Sequence, residues 1–300
     1  MVQPATVQNK LFEASSSVWP LRTCLLVIGL IVGWTFWPTI AELGQKWLHD
    51  PQYSHGLLVP AFAIYLLWTR RQMLAPVGPP DVAAGIACLL LAAVFRVISG
   101  IFCFEWIDAV ALLPCLLGIA LLLGGRSALK CSWPAIAFLY FMIPMPYRME
   151  TMLSGPLQRL ATLGSAFLLQ SLGQPAIAEG NTIMLNDIKL GVVEACSGLR
   201  MLVTFFTFST GVAIVIRKPW LEKMCIVLSA IPIALVTNII RITTTGLMYQ
   251  TNRDFAQMFF HDLAGWFMMP VCLIFLGMEL WLLNRLILHE GAPRARLQLV

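Results

Sequence analysis

Long apolar runs, separated by short polar or proline-containing segments, dominate the chain. Several of these runs approach the ~20 residues that an α-helix needs to cross a bilayer. They predict eight membrane helices, at about residues 21–40, 55–69, 82–98, 106–124, 132–147, 197–216, 222–248 and 262–286. The fold class expected from this pattern is an all-α polytopic membrane protein.

Two further segments are less typical of a membrane crossing, although residues 152–172 are apolar enough for a ninth membrane helix as the alternative. Residues 152–172 are apolar but contain polar residues such as Gln158 and Arg159, which favours an amphipathic helix on the outer membrane surface. Residues 174–194 partly alternate apolar and polar side chains around turn signals at Gly180–Asn181 and 186–187. We therefore expect a short extracytoplasmic hairpin that leads the chain into residue 196.

The composition is that of a membrane protein. Of the 300 residues, 59% are hydrophobic and 12% are charged, whereas soluble domains carry about 25% charged residues. Six of the eight cysteines lie in or at the start of apolar runs, where a thiol behaves as a small buried hydrophobe. Because no cysteines and histidines have metal-binding spacing, the sequence predicts neither a metal nor an organic cofactor.

The positions of the basic residues predict the orientation. If the N-terminus is cytoplasmic, twelve of the 20 basic residues fall on inner segments. These are Lys10, Arg22, Arg70, Arg71, Arg126, Lys130, Arg217, Lys218, Lys223, Arg285, Arg294 and Arg296. By the positive-inside rule, we expect both termini in the cytoplasm. The expected organisation is a cytoplasmic segment at 1–20, a membrane domain at 21–288 and a basic cytoplasmic tail at 289–300.

Cys196 differs from the cysteines in the apolar runs, because it precedes a predicted helix at the outer membrane face. Helix N-termini carry positive potential and can lower the pKa of a cysteine. Ser197 is a candidate cap for this helix. Arg200 follows Cys196 by four residues, on the same helical face, where its charge would favour the thiolate. The alternative is a structural thiol beside a surface arginine.

The next two predicted helices each carry polar residues toward the outer side of the membrane. Asn238 and Arg241 are three residues apart, on one helical face. An arginine at this depth costs roughly 2.5–3.5 kcal/mol on insertion scales, so it should face the bundle interior, a wet cavity or an anionic partner. His261 lies at the outer start of the last helix, where Asp262 favours the helix N-terminus and can tune the imidazole.

A thiol, an imidazole and a guanidinium on one side of three consecutive helices suit nucleophilic acyl transfer. Cys196 would attack a carbonyl, His261 would move protons, and Arg241 would stabilise an oxyanion or hold the substrate. Glu194 would hold Arg200 or His261 through a charge-assisted hydrogen bond, or would be a solvated loop residue.

The motifs ACSGLR around Cys196, NIIR ending at Arg241 and HDLAG from His261 resemble those of the exosortase/archaeosortase family. YSHGLLVP at 53–60 and IPMP at 143–146 are also similar, and the resemblance runs from about residue 25 to 288. It implies a membrane cysteine transpeptidase of the bacterial inner membrane, with Cys196 as nucleophile and Arg241 and His261 as catalytic residues. The implied substrates are exported proteins ending in a PEP motif, a membrane helix and a basic tail, which are cut at the extracytoplasmic face.

Two other function classes stay open at this point. A non-catalytic membrane component of exopolysaccharide export or assembly would need no nucleophile. A membrane thiol-redox protein would need a second, resolving cysteine outside, for which Cys103 is the candidate. Protein substrates and the lipid bilayer are the expected partners, and no nucleic-acid binding is expected.

Overall fold

The computed structural model describes residues 27–74, 78–185, 188–191, 198–251, 256 and 264–286. The helices within these ranges are α1 (Val27–Thr35), α2 (Trp37–His49), α3 (Leu58–Arg70), α4 (Val82–Phe102), α5 (Glu105–Phe138), α6 (Tyr147–Ser171), α7 (Gly198–Val215), α8 (Trp220–Leu228), α9 (Ala230–Thr251) and α10 (Ala264–Leu286). Three strands, β1 (Ala176–Glu179), β2 (Thr182–Leu185) and β3 (Ile188–Gly191), lie between α6 and α7. Short 3-10 helices cover Pro51–Leu57, Arg71–Leu74 and Leu139–Met142.

Proline and glycine residues decide where several helices begin, bend or end. α1 and α2 meet at an angle of 68°, because Pro38 in the first turn of α2 cannot donate the hydrogen bond that a continuous helix needs. Within α5, Gly124 and Gly125 leave the helical conformation, and Gly125 has φ 58°. A Cβ at Gly125 would lie 2.0 Å from the Pro79 carbonyl oxygen, so only glycine fits this break.

The helix predicted at 132–147 ends earlier than expected. The chain leaves α5 at Phe138, continues as the 3-10 helix Leu139–Met142, and is extended at Ile143. Pro144 and Pro146 explain the difference, since the residue before a proline is disfavoured in the α conformation. The helix predicted at 55–69 starts later for a related reason: its first residues form the end of the 3-10 helix Pro51–Leu57, and α3 begins at Leu58.

Three helical stretches of the described ranges are long and apolar enough to cross a membrane: Val82–Phe102, Glu105–Met142 and Trp220–Gln250. The bent pair α1–α2 makes a fourth if it is one span. The 38 residues of Glu105–Met142 would measure about 57 Å as one straight helix, nearly twice the ~30 Å hydrocarbon core. Its glycine break falls between the two helices predicted there. The all-α membrane class is therefore confirmed, while the count of eight spans stays a prediction.

The segment before residue 196 forms a small antiparallel sheet in the order β1-β2-β3. The first turn is at Gly180, with φ 61°, as the sequence predicts. β2 pairs with both neighbours, with Ala176 opposite Leu185 and Ile183 opposite Leu190. The predicted hairpin is thus a three-stranded meander, one strand larger than expected.

α9 lies at the centre of the C-terminal half, in contact with α6, α7, α8 and α10. On one side it shares a core with α6 and the sheet, which includes Leu169, Ile183 and Ile242. On another side, Phe205 of α7 and Leu276 of α10 belong to a second core that reaches α9 at Ala230. A polar residue in the middle of α9 is therefore surrounded by protein. That α6 lies on the outer membrane surface stays a prediction.

Candidate active site

Three of the site residues predicted from the sequence lie in described helices: Arg200 in α7, and Asn238 and Arg241 in α9. The others, Cys196, His261, Glu194, Ser197 and Asp262, lie outside the described residues. α7 begins two residues after Cys196, and α10 begins three residues after His261. The described part of the site is thus its cationic part and the helices that follow the thiol and the imidazole.

Arg241 is buried in the middle of α9, with 8% of its surface exposed. It precedes the last residue of the helix, Thr251, by ten positions, which is about 15 Å along the axis. The helix predicted at 222–248 would leave Arg241 about two turns from its end. Arg241 lies deeper than that, because α9 continues past residue 248. Nε and Nη2 of Arg241 have no hydrogen-bond partner among the described residues. These two nitrogens form one edge of the planar guanidinium group.

Asn238 lies one turn before Arg241 and is 3% exposed. Its Oδ1 atom is buried and has no hydrogen-bond partner in the described part of the chain. Buried polar atoms in native proteins are nearly all hydrogen-bonded, and each exception needs an explanation. An unpaired acceptor and two unpaired donors on adjacent turns of one helix indicate a place where a polar group from elsewhere fits.

Arg200 lies in the first turn of α7 and is exposed. Two charged groups act on its guanidinium: Asp50 attracts it, and Arg241 repels it. The structure therefore brings together the two arginines that the sequence placed on separate helices. Since the two arginines carry two positive charges and Asp50 carries one negative charge, the charge balance around Arg200 is positive and suits an anionic group.

Sequence reasoning gave no role to His55, which the structure places beside α7. His55 belongs to the 3-10 helix Pro51–Leu57 and is 8% exposed. Its Nδ1 lies 3.4 Å from Oγ1 of Thr204, one turn after Arg200. Burial lowers the pKa of His55, against the carbonyls of Phe141 and Gln52, which favour the protonated ring. The signal available in the sequence was a histidine next to an apolar run, in the stretch YSHGLLVP.

A cavity of about 810 Å³ lies against the same 3-10 helix. Asp50 and Tyr53 line it together with the end of α2, the start of α5 and the extended IPMP segment. Its charged wall is largely self-paired, because Lys46 forms ion pairs with Glu42 and Glu105, both at 2.9 Å. Asp50 is thus shared between this cavity and the neighbourhood of Arg200.

The family model described as transmembrane exosortase (Exosortase_EpsH) matches residues 47–278. No curated protein and no solved structure shows a significant match to the chain. The matched range covers more than three quarters of the chain and includes Arg200, Asn238, Arg241, His55 and the residues predicted at 194–197 and 261–262. The chain therefore belongs to the transmembrane exosortase family.

Proposed function

We propose that this protein is a membrane cysteine transpeptidase or protease that cleaves the C-terminal sorting signals of exported proteins. The proposed nucleophile is Cys196, the proposed proton carrier is His261, and Arg241 provides the fixed positive charge. Membership of the exosortase family supports this function, and so does the unpaired edge of Arg241.

The observation that carries the proposal is the buried Arg241 guanidinium. A charge without a partner inside a protein is strongly destabilising, so its retention requires a compensating role. An edge with two parallel N–H groups fits a carboxylate or the oxyanion of an acyl-transfer intermediate better than a single neutral oxygen. Both groups occur in a reaction that cleaves a peptide bond next to an acidic motif.

The proposed chemistry has two steps. The Cys196 thiolate attacks the carbonyl carbon of the scissile peptide bond, and the C–N bond breaks when His261 gives a proton to the departing amine. This leaves the exported protein as a thioester on Cys196. Water or an amine then attacks the thioester carbonyl carbon and gives its proton to His261, and the C–S bond breaks to restore the Cys196 thiolate.

The substrate part of the proposal concerns a PEP-type motif, a single membrane helix and a basic tail. The basic tail would stay in the cytoplasm by the same rule that orients the enzyme, which places the motif at the extracytoplasmic face. The excess of positive charge from Arg200 and Arg241 over Asp50 suits the glutamate of such a motif. The proposed location is the bacterial inner membrane, with the site on its outer side.

Co-expression with a substrate that carries such a tail tests this function. Wild-type enzyme should shorten the substrate, and Cys196→Ala should leave it full-length in the membrane. Cys103→Ala is the matched control, because Cys103 is an exposed thiol that the proposal gives no role. Loss of function in both variants would favour a dithiol redox reaction, whereas processing by Cys196→Ala would favour a non-catalytic component of an export machine.

A further inference from the structure

The 3-10 helix Pro51–Leu57 packs against α2 and the 3-10 helix Leu139–Met142, and it is hydrogen-bonded to α6. Asp50 caps its start, with the Gln52 amide donating to Oδ1 at 2.8 Å. Gln52 Nε2 donates to Glu150 Oε1 of α6 at 2.6 Å. Trp47 Nε1 of α2 donates to the Met142 carbonyl at 2.9 Å. The segment is therefore a rigid support and not a free loop.

Gly56 allows a close contact between this segment and α2. An ideal Cβ at Gly56 would lie 2.4 Å from Nε1 of Trp47, so the indole ring lies directly against the backbone of the segment. Any side chain at this position would displace Trp47 and its hydrogen bond to Met142. The fit of the tryptophan on the glycine sets the position of the adjacent residue, His55.

His55 is the point where this support reaches α7. It contacts Thr204. Thr204 follows Arg200 by four residues, and residues four apart lie on the same face of a helix. Asp50, at the other end of the segment, attracts Arg200 itself. The segment thus contacts α7 at Thr204, and Asp50 at its start attracts the Arg200 side chain, one turn nearer to the start of α7.

The second ring nitrogen of His55 indicates that this side chain does more than fill space. Nε2 is buried and has no hydrogen-bond partner among the described residues, although the Phe141 and Gln52 carbonyls lie near the ring. A buried unpaired ring nitrogen costs stability, and an apolar side chain of similar size would avoid that cost. The histidine therefore contributes something that packing alone does not.

We propose that His55 is a positioning residue, which fixes the N-terminal turn of α7 and so sets Arg200 and Cys196 relative to Arg241. This inference rests on the proposed function, since it assumes that the residue two positions before α7 is the nucleophile. It adds a support outside the three predicted catalytic residues, in a segment that is more than 140 residues away from Cys196 in the sequence.

The test compares four single variants and one double variant, with two readouts, in the full-length protein in membranes. The readouts are the rate of substrate shortening and the rate at which a maleimide modifies Cys196, followed by the mass of its peptide. His55→Phe keeps the ring volume but loses both nitrogens, and Thr204→Val removes the hydroxyl. Each should slow both rates about fivefold, the effect of one lost hydrogen bond. His55→Asn, which keeps a polar atom near the Nδ1 position, should restore most of the rate.

Thr210→Val is the matched control on the same helix, since its hydroxyl donates only to the Phe206 carbonyl of α7. It should behave as wild type. The double variant His55→Phe, Thr204→Val should be no slower than either single variant, because both remove the same contact. If His55→Phe fails to accumulate, Thr204→Val and His55→Asn still decide the question.

Two outcomes separate this inference from the proposed function. Wild-type maleimide rates in Thr204→Val, or in His55→Phe where that variant accumulates, would overturn the inference, even if Cys196→Ala blocks substrate shortening, as would multiplied effects in the double variant. Slowed modification of Cys196, together with a substrate that Cys196→Ala still shortens, would keep the positioning role and reject the proposed function.

Discussion

Helices α8 and α9 carry two buried charged residues, one near the start of α8 and one in the middle of α9. The two residues differ in their ion-pair and hydrogen-bond partners. Glu222, in the first turn of α8, is 3% exposed, and its Oε2 lies 3.1 Å from Nζ of Lys218. Lys218 also donates to Oδ1 of Asn284 in α10, at 2.7 Å. Arg241 of α9 is 8% exposed, and one edge of its guanidinium has no partner in the described ranges. Both residues are buried, but Glu222 has an ion pair, whereas Arg241 has none within the described ranges.

The two charges differ in what the described residues supply to pair them. Glu222 connects α8 to the polar end of α10 through Lys218, so its charge is neutralised inside the protein. One edge of the Arg241 guanidinium has no such partner in the part of the chain that the structure describes. Burial alone would not distinguish them, whereas the hydrogen-bond partners do.

The largest expected effect is the loss of activity in Arg241→Lys. Lysine keeps the charge but lacks the planar fork, so substrate shortening should slow roughly 100-fold, the scale of losing one oxyanion-stabilising donor. The amount of folded enzyme should change little, because no described residue loses a hydrogen bond to Nε or Nη2. Shortening rates normalised to enzyme in the membrane measure this. A wild-type rate would show that Arg241 is only a structural cation.

Glu222→Gln should give the opposite pattern. Removing this carboxylate leaves Lys218 without its ion pair and should lower the free energy of unfolding by about 2 kcal/mol, the value of a hydrogen bond to a charged group. Shortening per folded enzyme should stay near wild type. Thermal unfolding in detergent measures the loss, and Lys218→Gln should reproduce it without adding to it in the double variant. A selective loss of activity at unchanged stability would contradict the structural role.

Asn238→Asp should change both thermal stability and activity, and its effect on activity should be smaller than that of Arg241→Lys. A carboxylate one turn before Arg241 would occupy the unpaired edge from within the helix, as Lys218 neutralises Glu222. Thermal stability should rise, and substrate shortening should slow roughly tenfold through competition with the substrate. Asn238→Ala, which removes the amide without adding charge, is the control. An Asp variant with unchanged stability and rate would mean that the Arg241 edge is not available.

The parts of the fold set by local sequence were predictable. The apolar runs gave the positions of α4, α7 and α10 within a few residues, and Gly180 gave the turn between β1 and β2. The single helix predicted at 222–248 is two helices, α8 and α9, which are separated at Ser229. The bend between α1 and α2 and the early end of α5 were missed. Both depend on proline residues inside apolar runs, where hydropathy alone favours a continuing helix.

The site was predictable only where its residues break an apolar pattern. Arg241 and Asn238 stand out because a charge and an amide at this depth are expensive. His55 does not stand out in this way, since it lies at the edge of a run, as surface histidines do. Its relation to Thr204 is a contact between residues 149 positions apart, which no local pattern contains.

The most direct test of the central claim is a search for the thioester on Cys196. Purified enzyme mixed with a substrate that carries the sorting signal should give an adduct whose mass equals the enzyme plus the exported part of the substrate. Hydroxylamine should release that part, and Cys196→Ala should form no adduct. Arg241→Lys should form the adduct more slowly. A substrate that is shortened without any adduct, or by Cys196→Ala in a strain with no other such enzyme, would contradict the account.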